Sequence, residues 1–150
     1  MYLHQVKCYL CLMSIILAID YGEVKSGIAV SDESQVFAFG LTTIQTKDLI
    51  DYLEQYSTEN EISEFVIGQP KKMNDQFSDI EELIKIFISK LSLKFSGIPI
   101  YRYDERFSSK LAFKAMIDAG INKKNRRDKY IVDKVSATII LQGYLKSKES

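Results

Sequence analysis

The hydrophobic pattern of this chain changes period after Thr46, and that change restricts the fold more than any other feature. Before it, apolar residues come in short runs suited to strands: Ile15 to Ile19, Gly27 to Ser31 and Phe37 to Ile44. Asp20-Tyr21-Gly22 is a turn signal between the first two, so the opening reads as three successive strands pairing antiparallel. After it, Leu49, Ile50, Leu53 and Tyr56 share one helical face, and Asp48 near the start suits the helix dipole. Glu64 to Ile67 predicts a short buried strand stopped by Gly68-Gln69-Pro70. Ser78 reads as the N-cap of a long helix, with Glu81 completing a capping box and Ile80, Leu83, Ile84, Phe87 and Leu91 as its core stripe. Ile98 to Tyr103 predicts a further strand, Ser108 to Ala119 a helix ended by Gly120, and Tyr130 to Leu145 the last helix.

Three strands followed by alternating strands and helices imply an α/β fold. The expected mixed sheet has three antiparallel strands and then two parallel ones, with helices on both faces. At 150 residues and 46% hydrophobic content the chain fills one core, so residues 13–150 are read as a single domain. Residues 1–12 are read as an extension outside it, because Met13-Ser14-Ile15 resembles a natural start that opens on a buried strand. His4, Cys8 and Cys11 then drop out of the functional argument; a single Cys-x-x-Cys with no second pair is a weak metal signal. No apolar stretch reaches the roughly 18 residues of a membrane span. A cytoplasmic protein with no membrane partner is expected.

Four carboxylates stand where such a sheet places ligands, three at the carboxyl ends of its strands and one on a helix that can reach the same spot. Asp20 closes the first strand, Asp104 and Glu105 close the last, and Asp133 lies at the start of the final helix. Converging acids repel one another and are pushed toward protonation unless a bound divalent cation supplies positive charge. With His4 set aside the chain has no histidine, which excludes serine and cysteine triads, histidine-based nucleases and histidine-rich zinc sites. Carboxylates and a hard metal remain.

Net charge is zero, yet its distribution is lopsided. Residues 1–75 hold 5 basic and 11 acidic residues, a net −6, whereas residues 76–150 hold 15 and 9, a net +6. Lys123, Lys124, Arg126, Arg127 and Lys129 cluster just before Asp133, which suits either a phosphate-binding loop or a solvated one.

Several motifs together resemble the YqgF/RuvX family. They are Ile16-Leu17-Ala18-Ile19-Asp20-Tyr21-Gly22, Gly27-Ile28-Ala29-Val30-Ser31-Asp32, Asp104-Glu105-Arg106-Phe107-Ser108-Ser109 and Val132-Asp133-Lys134-Val135-Ser136-Ala137, with Ile140-Leu141-Gln142 close behind. The resemblance runs in order from Met13 nearly to the C-terminus. It implies a ribonuclease H-like sheet and a Mg²⁺- or Mn²⁺-dependent phosphodiesterase, with Asp20, Glu105 and Asp133 as the catalytic acids and Asp104 as a fourth candidate ligand. On that basis Asp20 is expected to bridge two ions while Glu105 and Asp133 each hold one. Lys25, Arg106, Arg127 and Lys134 are the candidates for backbone phosphate contacts. Members are described as Holliday junction resolvases and as nucleases maturing the 5′ end of the small-subunit ribosomal RNA precursor, so the expected partner is an RNA precursor or branched DNA. A monomer or a homodimer would serve, the junction favouring a two-fold dimer.

The chain departs from the family pattern at Gly22-Glu23-Val24-Lys25-Ser26-Gly27, which loses one basic residue and gains an acid, and at Gly68-Gln69-Pro70-Lys71-Lys72-Met73, which supplies two lysines. Two other classes compete. An actin-like ATPase shares the Asp-x-Gly turn but needs two such domains, and a binding module would keep the fold without the catalysis.

Overall fold

The computed structural model describes residues 14–70, 79–105 and 129–149. Its elements are β1 (Ile15–Asp20), β2 (Lys25–Ser31), β3 (Ala38–Gln45), a 3-10 turn (Thr46–Asp48), α1 (Leu49–Ser57), β4 (Ile62–Gln69), α2 (Asp79–Lys94), β5 (Ile100–Asp104) and α3 (Lys129–Lys148). The sheet order is β3-β2-β1-β4-β5. β2 pairs antiparallel with both β1 and β3, while β4 runs parallel to both β1 and β5. This is the mixed sheet that the order of elements implies. The expected helix over Ser108 to Ala119 and the Ser78 cap lie outside the described residues, as do His4, Cys8, Cys11, Arg106 and Arg127.

β1 is central, and Ile16, Leu17, Ala18 and Ile19 are all fully buried. Alternation explains why both of its faces must be apolar. Leu17 and Ile19 join Ile28, Phe65 and Ile67 in a layer covered by Leu49 and Leu53 of α1 and by Ile84, Phe87 and Leu91 of α2. Ile16 and Ala18 join Ala29 and Val66 beneath Ala137, Ile140 and Leu141 of α3. Helices therefore cover both faces, and among the described residues none is long and apolar enough to cross a membrane.

The core stripe of α2 differs from expectation at two positions. Leu83 is exposed, and Glu81 is buried in line with Ile84, Phe87 and Leu91. Positions three and four apart share a helical face, so a stripe through 84, 87 and 91 continues back to residues 80 and 81 and leaves 83 aside. Glu81 occupies that inward position because it meets Arg102 of β5. Its two carboxylate oxygens accept from Arg102 Nη1 and Nη2 at 2.8 and 3.0 Å.

The far end of α3 is fastened by side chains. Lys148 Nζ donates to the buried Glu64 at 2.5 Å, and Tyr144 stacks on Tyr101 of β5 with ring centroids 6.0 Å apart. Burial and the neighbouring Glu64 push the Tyr144 hydroxyl well above the usual phenol range. With that end anchored on β4 and β5, the first turns of α3 cross the sheet toward the ends of β1 and β2.

Candidate active site

Two glycines flank the last residue of β1. Gly27 on β2 is the register partner of Asp20, and Gly68 on β4 follows Ile67, the partner of Ile19. By alternation Asp20, Gly27 and Gly68 lie on the α3 face, continuing the line of Ala18, Ala29 and Val66. A side chain at Gly27 would collide with the main chain of Asp133 and Lys134, so its absence lets the first turns of α3 settle beside Asp20. A side chain at Gly68 would collide with the carboxylate of Glu105, which folds back over that glycine. The Glu105 amide donates to the Gln69 carbonyl at 3.0 Å and fixes where β5 hands over to this acid.

The Glu105 carboxyl meets that of Asp20 in a direct hydrogen bond, so one proton or one cation must stand between two groups that are both acids. Burial pushes the Glu105 carboxyl above the usual range, while the contact with Asp20 and the nearby Arg102 charge act in the opposite direction. One oxygen of Asp133, Oδ2, is buried without a hydrogen-bond partner in the structure, although the residue itself is engaged elsewhere. The acids thus meet as a pair with a third on the adjoining helix. Among the described residues no three His, Cys, Asp or Glu side chains are already drawn into a group able to hold a metal ion. Even so, a facing pair of half-buried carboxyls offers hard oxygen donors that suit Mg²⁺ or Mn²⁺.

Asp104 is placed differently. It pairs in register with Gln69, and alternation along β5 gives it the face of Arg102, opposite to that of Tyr103 and Asp20. Its charge still bears on Glu105.

Of the basic residues, Lys25 opens β2 opposite Gln45 and lines a groove of about 410 Å³ with Asp48 and Tyr52. Lys134 lies across Gly40 of β3, its Cγ 2.8 Å from where a side chain on that glycine would begin, and so extends toward the β3 edge. Arg106 and Arg127 fall outside the described residues.

Sequence reasoning missed the groups that hold this geometry. Ser26 Oγ accepts from the Gly22 amide at 3.2 Å and shares a 2.7 Å hydrogen bond with Thr46 Oγ1, which also donates to the Gly22 carbonyl at 2.7 Å. The turn after Asp20 is thereby tied to the end of β3. Arg102 was the other omission, read only as one residue of a strand; a charge between two tyrosines, Tyr101 and Tyr103, was the available signal.

A five-stranded mixed sheet covered on both faces, with acids at the end of its central strand, defines the ribonuclease H-like α/β class. A family model described as "RuvX: Holliday junction resolvase" matches residues 14–147. The chain belongs to this YqgF/RuvX family. A relative from Flavobacterium johnsoniae named "Putative pre-16S rRNA nuclease" is 48% identical over 136 residues, covering 91% of this chain and 99% of its own length. A relative of the same name from Phocaeicola vulgatus is 47% identical over 137 residues, again with 91% and 99% coverage. Thermus thermophilus RuvC, solved in complex with a Holliday junction substrate, superposes with a TM-score of 0.56 over 91% of this chain and 96% of its own. At 13% identity that likeness is one of fold.

Proposed function

We propose that this chain is a divalent-metal-dependent nuclease that hydrolyses phosphodiester bonds at the 5′ end of the small-subunit ribosomal RNA precursor. The direct carboxyl contact between Asp20 and Glu105 carries the metal-dependent part of this reading, and the names of the relatives support the substrate. Asp20 and Glu105 would hold the metal, with Asp133 as the third acid and Asp104 outside the set. When bound there, Mg²⁺ or Mn²⁺ supplies charge stabilisation to the phosphoryl oxygens and activates the attacking water. The protein's own part is positional. Gly27 and Gly68 let the acids approach, the Ser26–Thr46 network holds the turn behind Asp20, and the apolar layer beneath α3 keeps bulk water from the carboxyls' inner side. Lys25 and Lys134, with Arg106 and Arg127, would hold backbone phosphates and so set the register of the strand to be cut.

The family description favours a second substrate, branched DNA. One assay separates the readings: labelled ribosomal precursor and a four-way DNA junction, each incubated with Mg²⁺, Mn²⁺ or chelator. Cleavage of the precursor alone, lost with chelator and in Asp20→Asn, is the expected result. Cleavage of the junction alone moves the substrate to DNA, and cleavage of neither makes the chain a binding module.

A further inference from the structure

The groove beside Lys25 is built by residues from both faces of the sheet. Gly27 pairs in register with Asp20 on one side and with Thr43 on the other, so Asp20, Gly27 and Thr43 form one row across β1, β2 and β3. Two strand spacings, about 10 Å, separate Thr43 from Asp20 along that row. Lys25 and Gln45, paired with each other, hold the next positions on the same face. Ile44 takes the other face by alternation, where Asp48 and Tyr52 approach from the 3-10 turn and α1. β3 ends the sheet order on this side, so the groove wraps an edge strand beside the acid row.

The lining offers what an unpaired nucleotide needs. Tyr52 supplies an aromatic ring, and Tyr56 braces it at a centroid distance of 6.1 Å and an interplanar angle of 15°. Stacking on such a ring accepts any base, because every base has a π-face. Lys25 is the one basic residue of the lining and gives a phosphate its counter-charge. Gln45 and Asp48, both exposed, bring an amide and a carboxylate suited to a base edge or a ribose hydroxyl. About 410 Å³ is room for one nucleotide and too little for a paired duplex. Continuity with the acid row favours the substrate strand itself as occupant: a strand presented at Asp20 that leaves across β2 and β3 passes Thr43 and Lys25 in turn.

We propose that this groove is a subsite for one unpaired nucleotide flanking the bond to be cut, with its base stacked on Tyr52 and its phosphate on Lys25. The inference rests on the nucleic-acid reading given above and adds a base-binding residue, Tyr52, to it. Two probes distinguish the strand's source: an RNA spanning the 5′ end of the ribosomal precursor and a four-way DNA junction, each carrying 2-aminopurine in turn at unpaired positions and at the branch. Binding to the full chain is followed by fluorescence in chelator, where affinity is read apart from cleavage. With one of the two probes, a 2-aminopurine at one position is expected to be dimmer in the parent complex than in that of Tyr52→Leu at saturating protein. Tyr52→Leu should also bind roughly tenfold more weakly, and Tyr52→Phe, which keeps the ring, within about threefold of the parent. Lys25→Met should reduce the salt dependence of binding by about one phosphate contact.

A tyrosine that only packs against the core predicts a loss of stability in Tyr52→Leu with affinity and fluorescence unmoved; that result overturns the proposal. Should Tyr52→Leu fail to fold by circular dichroism, photocrosslinking of the parent decides, with 5-iodouridine in place of 2-aminopurine. An adduct on Tyr52 supports the proposal, and adducts confined to other residues overturn it. Binding of neither probe by the parent overturns the nucleic-acid reading and this inference with it, whereas binding without a Tyr52-dependent signal overturns this inference alone.

Discussion

The two glycines beside Asp20 should respond to the same substitution in opposite ways. At Gly68 the atoms that an alanine methyl would meet all belong to the Glu105 side chain, the movable end of a flexible group. At Gly27 they belong to the backbone of Asp133 and Lys134, inside a helix that is anchored at its other end by Glu64 and Lys148. Gly68→Ala is therefore expected to leave stability within about 1 kcal/mol, because the acid swings aside and the loss of chain entropy in the unfolded state favours alanine by about 0.4–1 kcal/mol. The swing breaks the Asp20 contact and, on the proposed role of Glu105, a displacement of about 1 Å costs on the order of 10²-fold in rate. Gly27→Ala must move α3 or bend β2, an overpacking worth about 1–3 kcal/mol or more. Urea unfolding of both variants, with cleavage rate and Mn²⁺ affinity measured on the same preparations, separates the effects. The reasoning fails if Gly68→Ala cleaves at the parent rate, or if the two alanines destabilise equally.

Other expectations follow from the same geometry. Glu105 is held above its ordinary range by burial, so the folded protein binds that proton more tightly than the unfolded chain does. In chelator its contribution is full at acid pH and is lost as pH rises through the raised value, at up to about 1.4 kcal/mol per unit, which urea midpoints taken at successive pH values would record. Added Mn²⁺ should flatten that loss. Asp32 goes the other way: the Ser34 hydroxyl and the amides of Phe37 and Val36 hold its carboxylate down to about 2, so the ordered turn before β3 persists until pH falls through that value, as an NMR titration would show. In the core, Phe65→Ala removes a fully buried ring that meets Phe95 edge-on at 5.2 Å, and should cost about 3–5 kcal/mol in chemical denaturation.

Much of the architecture was legible in the sequence because one-dimensional periodicity reports burial directly. The unbroken apolar run at Ile15 to Ile19 marks a strand covered on both faces, and β1 lies at the centre of the sheet. The change of period after Thr46 marks the switch from meander to alternation, which is where α1 begins. Leu83 misled because it is apolar at a position adjacent to the stripe, and no periodicity rule foresees that a glutamate will take the inward place. That exchange depends on a partner 21 residues away, Arg102, whose position on the neighbouring strand is a matter of register.

The same division runs through the site. The sequence by itself determined which groups are available: carboxylates at strand ends, no histidine beyond His4, lysines and arginines gathered in the second half. These are consequences of composition and order, and they make hard oxygen ligands and phosphate contacts the chemistry to expect. Only the tertiary structure decided which acids meet. Asp104 and Glu105 are adjacent in sequence, yet a pleated strand sends neighbours to opposite faces, so Glu105 folds over Gly68 toward Asp20 while Asp104 takes the side of Arg102. The pairing of Asp20 with Gly27 and the approach of Asp133 to that glycine arise from strand register and helix packing, which are set by contacts between distant residues and leave no local mark in the sequence.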